Sequence, residues 1–241
     1  MAIARVRIAG NINRSTAAVY QSIFEHVRTS RKFKAVTIEI SSGGGDATSS
    51  QILFESVKAL NREKPVYSLI SGVGASGAYW VATASRKIYA MSTSLVGSIG
   101  IISINPNIKG LLEKLGIEMN VYKIGKYKDL LSPFSSEAPE EGIRNFRESL
   151  NDVFAVFRET VAQQRNISEE EMETIATGEV FSSKKALSLR LIDKIGGYQE
   201  MLDDMKENEK VQGNVRQIQP RRSFISRFIG GMMYEFLSQI Q

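Results

Sequence analysis

One glycine-rich stretch holds the residues best suited to chemistry. "SGVGASGAYWVATAS", residues 71–85, places Gly72, Gly74, Ser76 and Gly77 directly ahead of a helix-like run of small residues. Because ordering glycine backbone costs entropy, small residues on both sides of one serine indicate that the backbone approaches something closely. Two interpretations are open at this point. The stretch is either a tight turn beneath a neighbouring element, or an elbow that exposes a serine hydroxyl beside N–H groups able to bind an oxyanion.

A second glycine-rich turn, "SSGGGD" at residues 41–46, follows the strand-like run "KAVTIEI", just as the first turn follows "PVYSLI". In open α/β sheets, ligands bind beyond the carboxyl ends of the strands, so turns on two neighbouring strands could face each other. Neither turn fits the pattern G-x-G-x-x-G with a following acidic partner, and the sequence has no G-K-[ST]. Phosphate binding is therefore the weaker interpretation.

A serine nucleophile needs a base, and few residue types can supply one here. The chain has no cysteine and a single histidine, His26, which excludes thiolate catalysis, disulfides and a His-rich metal site. His26 lies within a helical pattern, and we expect it to be a partly buried helical residue. Lysine remains, although most lysine clusters are solvated surface. The run "VYKIGKYKDLLSPF" contains Lys123, Lys126 and Lys128, and burial that lowers a lysine pKa from ~10.4 towards ~7–8 makes a base.

The elements that must position these residues follow a strand–helix–strand pattern. With 241 residues, 42% hydrophobic and 24% charged, the chain is typical of soluble globular proteins, and its net charge of +5 fits an anionic partner without demanding one. The pattern recurs three times in the first 90 residues and predicts an α/β fold with a parallel sheet. We predict strands at 2–10, 34–40, 65–70, 87–91, 95–103 and 119–125, and helices at 15–30, 47–63, 76–85, 107–115, 139–165 and 168–176.

Three of the predicted helices carry more detailed signals. Ser15 is the expected N-cap of the first helix, and Ser168 with Glu171 forms a predicted capping box for the last. Apolar residues at helical spacing predict the buried faces of two helices. They are Val19, Ile23 and Val27 in the first, and Phe146, Leu150, Val153, Phe157 and Val161 in the long helix at 139–165.

Five motifs follow one another along the chain: "IEISSGGGDA", "GASGAYWVA", "LVGSIGII", "IGKYKDLLSPF" and "GEVFSSKKALSLRLIDKIGG". In this order they resemble the signal peptide peptidase A family of Ser/Lys proteases, relatives of the Clp-type protease subunits. The resemblance spans residues 2 to about 202, most of the chain. It implies a Clp/crotonase-like superhelix of repeated strand–strand–helix units with a helical C-terminal part.

The resemblance also implies roles for individual residues. Ser76 becomes the nucleophile and Lys128, 52 residues later, the general base, with Lys126 as its nearest competitor. Ser98, in "GSIG", matches a second family serine that orients the lysine. The implied reaction is peptide-bond hydrolysis through an acyl-enzyme, with no metal or other cofactor. The alternative is a non-proteolytic binding or scaffold protein of the crotonase-like superfamily.

The implied oxyanion hole consists of the N–H groups of Gly44 and Gly77, with Gly43 as the substitute for Gly44 if the register shifts by one. The sequence departs from the family pattern here, because the usual proline before the glycine pair is missing. It departs again at Arg86, where an acidic residue is common, and at Arg190, which replaces the glycine of G-L-I-D. None of these changes touches Ser76 or Lys128.

The resemblance further implies partners. We expect peptide substrates such as signal-peptide remnants, a homo-oligomeric ring in which one site can draw its serine and lysine from different subunits, and no nucleic-acid partner. The family's N-terminal membrane anchor has no counterpart in this sequence, which predicts either a shortened chain or a member without an anchor. No apolar run reaches the ~18 residues that a spanning helix needs.

We divide the chain into a single peptidase domain, residues 1–208, and a basic, apolar C-terminal segment, residues 209–241. In that segment, arginines flank an apolar stripe at helical spacing, which suits either a membrane surface or a neighbouring subunit. Peripheral membrane association is therefore the expected localisation. The arginines are Arg221, Arg222 and Arg227, and the stripe consists of Phe224, Ile225, Phe228, Ile229, Met232, Met233, Phe236 and Leu237.

Overall fold

The structure, a computed structural model, describes residues 1–135 and 138–219. Within these residues the strands form one mixed sheet. The strands are β1 (Ala2–Ala9), β2 (Phe33–Ser42), β3 (Val66–Ala75), β4 (Lys87–Ala90), β5 (Leu95–Gly97), β6 (Val180–Ser182), β7 (Lys194–Ile195) and β8 (Asn214–Ile218). The helices are α1 (Arg14–Thr29), α2 (Ala47–Glu63), α3 (Gly77–Thr83), α4 (Lys109–Lys114), α5 (Glu140–Arg165), α6 (Glu169–Ile175), α7 (Ser183–Ser188) and α8 (Tyr198–Asn208).

The sheet is dominated by parallel pairs. Its order is β6-β5-β3-β2-β1-β8, with β4 beside β3 and β7 beside β4, and the pair of β5 with β6 is antiparallel. Strand β3 is shared between two neighbours, because its first half pairs with β4 and its end, Val73–Ala75, pairs with β5. The predicted α/β class with a parallel sheet is confirmed, and β2 and β3 are neighbours as the two glycine turns required.

The two faces of the sheet are covered by different helices. One face packs under α1, α2, α3 and α5, where Trp80 of α3 stacks on Phe157 of α5 with 4.6 Å between ring centroids. The other face packs under α8 through Met201, Leu202 and Met205. Burial on both faces explains the nearly continuous apolar runs of β2 and β3, which parallel strands between two helical layers require.

Helix α1 differs from its prediction at its start and on its buried face. Its N-cap is Asn13, whose side chain accepts a hydrogen bond from the N–H of Thr16, so the expected Ser15 cap was wrong. Asparagine caps a helix as well as serine does, and the sequence offered both. The buried face is rotated from the predicted one, and Val19 is exposed. That face consists of Ala17, Tyr20, Phe24 and Val27.

The later helices match their predictions closely. Helix α5 begins at Glu140 and ends at Arg165, although Phe154 packs on the core where Val153 was expected, and Val153 is exposed. The capping box of Ser168 with Glu171 at the start of α6 is confirmed.

An extended segment, residues 101–135, leaves the sheet after β5, and we call it the arm. The predicted strand at 119–125 was wrong, because these residues adopt no regular structure and pair with no strand of the described chain. Helix α4 lies within the arm and has no buried residue. Many large apolar side chains of the arm are exposed: Ile102, Ile104, Leu111, Leu115, Ile117, Met119, Val121, Tyr122, Ile124 and Leu131.

The sheet continues past residue 208, where we placed the domain boundary. Strand β8 pairs in parallel with β1, from Asn214 beside Ala2 to Ile218 beside Val6. The basic and apolar residues predicted to contact a membrane or a neighbouring subunit lie outside the described residues. In the described part of the chain, no helix combines the length and the apolar character needed to cross a membrane.

Candidate active site

Ser76 occupies a strained turn between β3 and α3. Its backbone has φ 50° and ψ −129°, a left-handed region that residues other than glycine rarely adopt. Two backbone hydrogen bonds hold this conformation, from the Ser76 N–H to the Gly97 carbonyl at 2.8 Å and from the Trp80 N–H to the Ser76 carbonyl at 3.0 Å. The half-buried Ser76 side chain makes no capping hydrogen bond, so its hydroxyl is free to react. A serine on a strained strand-to-helix turn is the arrangement of a nucleophile elbow.

Gly77 lets α3 begin immediately after this serine. A Cβ at position 77 would lie 2.0 Å from the Ser50 hydroxyl oxygen, so the buried contact with α2 requires glycine. Gly77 is the first residue of α3, and the N–H groups of a first helical turn have no acceptor within the helix. The Gly77 N–H is therefore available to a group placed beside the Ser76 hydroxyl.

The second glycine turn packs directly against this elbow, as the adjacency of the strands predicted. A Cβ on Gly44 would lie 2.7 Å from the Gly77 nitrogen and 2.8 Å from the Ser76 Cβ. The Gly44 N–H, however, donates a hydrogen bond to the Ser42 Oγ at 3.1 Å, and the Ser42 hydroxyl donates to the Gly10 carbonyl at 2.5 Å. Gly44 can donate to an oxyanion only by giving up its bond to Ser42.

Ser98 lies beside Ser76 at the same edge of the sheet. Ala75 and Gly97 are partners in the pair of β3 and β5, and each is followed directly by one of the two serines. Neighbouring strands lie about 4.8 Å apart, so the two serines are adjacent. Ser98 also has a positive φ, 51°, and its N–H donates to the Glu179 carbonyl at 2.7 Å. The structure thus brings together Ser76 and Ser98 as neighbours on parallel strands.

Lys128 lies in a turn of the arm, with its side chain exposed. Its N–H donates to the Gly125 carbonyl at 3.3 Å. Within the residues that the structure describes, the Lys128 side chain makes no hydrogen bond to Ser76 or Ser98. The single chain therefore sets the two serines side by side and leaves the predicted base unconnected to them.

The other two lysines of this run are paired with carboxylates. Lys126 Nζ lies 2.6 Å from Glu141 Oε2, and Lys123 Nζ lies 2.5 Å from Asp129 Oδ1. The hydrogen bond that Lys126 donates to the Glu141 carboxylate raises the pKa of Lys126 above its usual value, which keeps that amine protonated.

Two further observations concern residues outside the predicted set. His26 is exposed on α1, so its expected partial burial was wrong. Ser42 and Ser50 hold the glycine turns in place, and sequence reasoning missed both. Ser42 sits inside "SSGGGD", so its position beside the glycines was the available signal. Ser50 gave no signal, because its contact with Gly77 exists only once α2 packs on α3.

Comparisons with known proteins identify the family of this chain. The model of peptidase family S49 matches residues 58–212, more than half of the chain. Similar proteins include the chloroplastic serine protease SPPA of Arabidopsis thaliana, 32% identical over 88% of this chain and 33% of that protein. A putative protease of Synechocystis is 33% identical over 80% of this chain and 69% of its own length. The putative signal peptide peptidase SppA of Enterococcus faecium is 32% identical over 77% and 54%.

The chain thus spans between a third and about two thirds of the length of these relatives. The residues matched by the family model begin within α2 and extend beyond α8. They include Ser76, Gly77, Ser98 and Lys128, four of the five residues assigned to the site. The chain belongs to peptidase family S49.

Proposed function

We propose that this chain is a serine peptidase that cleaves peptide bonds through an acyl-enzyme, with Ser76 as the nucleophile. The observation that carries the proposal is the elbow itself. Ser76 has a strained backbone, its hydroxyl makes no capping hydrogen bond, and the Gly77 N–H lies beside it. Family membership adds that chains of this kind are peptidases.

The reaction divides into two acyl transfers. The neutral amine of Lys128 takes the Ser76 proton while Ser76 Oγ attacks the carbonyl carbon of the peptide bond. The Gly77 N–H donates to the oxyanion that forms, and Gly44 supplies a second donor when its N–H leaves the Ser42 oxygen. The tetrahedral adduct collapses, and the leaving amine takes the proton from Lys128. Water then attacks the acyl-enzyme by the same sequence and frees the acid and Ser76.

Two ion pairs favour Lys128 over its neighbours as the base. A base must be unprotonated, and the carboxylates beside Lys126 and Lys123 stabilise the protonated amines. Among the described residues, Lys128 forms no ion pair. Ser98 lies next to Ser76, where its hydroxyl would accept a hydrogen bond from the lysine and orient it.

We further propose that the active form is a homo-oligomeric ring and that Lys128 acts on the Ser76 of a neighbouring chain. A lysine base needs an environment that disfavours its charge, which exposure on the arm does not give. Large apolar side chains surround Lys128 in sequence, and Ile124 is 100% exposed and Tyr122 94%. Soluble monomers rarely leave such patches uncovered. Docking the arm on a second chain would bury these side chains and desolvate Lys128 together.

The proposed substrates are short or unfolded peptides with small or apolar side chains, including remnants of signal peptides. This rests on the resemblance and on the name of the Enterococcus faecium relative, a putative signal peptide peptidase. Contact of the C-terminal segment with a membrane surface stays a prediction from its sequence alone.

Turnover of a fluorogenic apolar peptide by Ser76→Ala tests the proposal. We expect a loss of at least about a thousandfold in kcat, because removal of a nucleophile abolishes the acyl-enzyme route. The matched control is Ser92→Ala, on the exposed turn between β4 and β5, which should keep normal activity. Near-normal turnover by Ser76→Ala, with an unchanged melting temperature, would show that this serine is not the nucleophile.

A further inference from the structure

A glycine in the first turn of α5 lies directly under the turn that carries Lys128. We propose that this residue, Gly142, is a positioning residue for Lys128, an inference that rests on the proposed function. Gly142 leaves room on α5 for the lysine turn, residues 125–131, to pack closely. The turn then presents the Lys128 amine at a fixed place and angle.

Contacts on either side of Lys128 support this role. A Cβ on Gly142 would lie 2.7 Å from Leu130 Cδ1, and 3.0 Å and 3.2 Å from Cδ1 and Cε1 of the Tyr127 ring. Real Cβ atoms essentially never approach within 3.0 Å of another heavy atom, so the turn packs on α5 at a distance that only glycine permits. Gly142 is buried although its neighbours Glu141 and Ile143 are exposed, which confirms that the turn covers this spot.

The choice of glycine needs such a reason. Glycine is less favourable than alanine inside a helix, because it loses more backbone freedom on folding. Gly142 has an ordinary helical backbone, since it is absent from the residues with positive φ. Conformation therefore does not demand glycine at this position, and the space required by Tyr127 and Leu130 does.

A second attachment lies just before Lys128. The ammonium of Lys126 pairs with Glu141, the residue that precedes Gly142, and lies 4.9 Å from the centre of the Tyr127 ring. Within the turn, the Leu130 N–H donates to the Tyr127 carbonyl at 3.1 Å. The turn is thus held on α5 mainly by Tyr127 and Leu130, the exposed Lys126–Glu141 pair adds little, and the Lys128 side chain is exposed.

A methyl group at position 142 would meet the end of the Leu130 side chain and the edge of the Tyr127 ring, so these side chains must move. We expect the turn, and Lys128 with it, to shift as they do. Misplacement of a catalytic group by about 1 Å can lower a rate by up to about a hundredfold without changing substrate binding. The effect of the substitution should therefore fall on kcat rather than on KM.

The test compares Gly142→Ala with Gly110→Ala, which lies in α4 of the same arm and has open space where its Cβ would go. We expect kcat of Gly142→Ala to fall about tenfold, with KM, melting temperature and oligomeric mass unchanged and with the alkaline pH–rate profile altered, while Gly110→Ala matches the wild type. Adding Leu130→Val removes the Cδ1 atom that the new methyl group meets. The double variant should recover most of the lost kcat.

Lys128→Ala, assayed in parallel, separates the possible failures. If Lys128→Ala is inactive and Gly142→Ala behaves like Gly110→Ala, the proposed base stands and the positioning role is wrong. A fall in kcat that is matched by a lower melting temperature and is not rescued by Leu130→Val also overturns the inference. If Lys128→Ala retains full turnover, the proposed base itself is wrong and the inference fails with it.

Discussion

The sheet domain, meaning the sheet with the helices packed on it, buries its large apolar side chains, whereas the arm leaves many of its own exposed. In the sheet domain, Trp80 is sealed between α3 and α5, and the Ser76 elbow is held by backbone hydrogen bonds to the neighbouring strand. In the arm, α4 buries nothing, and Ile102, Ile104 and Ile124 are mostly exposed. Ser76, the proposed nucleophile, is therefore held within one chain, whereas Lys128, the proposed base, lies on a segment that leaves many large apolar side chains exposed.

This difference has a physical consequence for the two halves of the site. Segments with few buried apolar contacts open at low free energy, while core strands open only with global unfolding. On the proposal above, a partner surface that covers the arm desolvates Lys128, so activity should depend on assembly. The position of the Ser76 elbow should not depend on assembly.

The largest expected effect separates the lysines. Lys128→Ala should lower kcat by at least about a thousandfold, because no other amine of the run is free to act as a base. Lys126→Ala removes an exposed ion pair with Glu141 and should keep most of the activity. Steady-state kinetics of the two variants decide the assignment. If Lys126→Ala is the inactive one, the base has been assigned to the wrong residue.

Gly77→Ala, which changes the turn that carries Ser76, should lower both the stability of the fold and the activity. Its Cβ would lie 2.0 Å from the Ser50 oxygen, so α2 and α3 must separate. Overpacking of this kind costs about 1–3 kcal/mol, and the moved elbow should lower kcat by more than about tenfold. Gly43→Ala is the control, since nothing lies within 4 Å of its Cβ position. Equal melting temperatures for the two variants would contradict this packing.

On the side of the arm, the double substitution Tyr122→Glu with Ile124→Glu should reduce the oligomeric mass and the activity together. The melting temperature of the sheet domain should change little, because both side chains are exposed in the single chain. Val19→Glu, an exposed apolar position on α1, serves as the control. Light scattering reports the mass. A doubly substituted protein that stays fully oligomeric would show that the arm is not the assembly surface.

The smallest effect concerns the cap of α6. Hydrogen bonds from the Ser168 backbone N–H and hydroxyl to the Glu171 carboxylate lower the pKa of Glu171 below its usual value. A depressed carboxyl pKa stabilises the fold above the unfolded pKa, and the stabilisation is lost as pH falls through the folded pKa. The melting temperature of Glu171→Gln should therefore lie below that of the wild type near pH 7 and converge on it below about pH 4. Glu173→Gln, an exposed position in the same helix outside the capping box, is the matched control.

Regular elements could be predicted from the sequence because their signals are local. The bounds of α2 and α5, the capping box of Ser168 and the adjacency of the two glycine turns all follow from periodicity, caps and the order of strands. The predicted strand at 119–125 failed for the opposite reason. Its apolar alternation is real, but no strand of the described chain pairs with it, and its exposed side chains fit the assembly surface proposed above.

Part of the candidate site could also be predicted from the sequence. Ser76 and Ser98 sit in glycine-rich motifs that mark their turns, and the structure places them on neighbouring strands. The roles of Ser42, Ser50 and Gly142 were not predictable, because each depends on a contact between elements distant in sequence. Nothing in a local pattern says that position 142 faces the turn carrying Lys128.

Complementation between inactive variants tests the central claim most directly. Ser76→Ala and Lys128→Ala are unfolded, mixed in equal amounts and refolded together, and mass spectrometry of the intact assembly confirms that both chains are present. If Lys128 serves the Ser76 of a neighbouring chain, roughly a quarter of the sites regain a complete pair and activity returns, although each variant alone has none. Mixed assemblies without activity would contradict the account and place both residues of each working site in one chain.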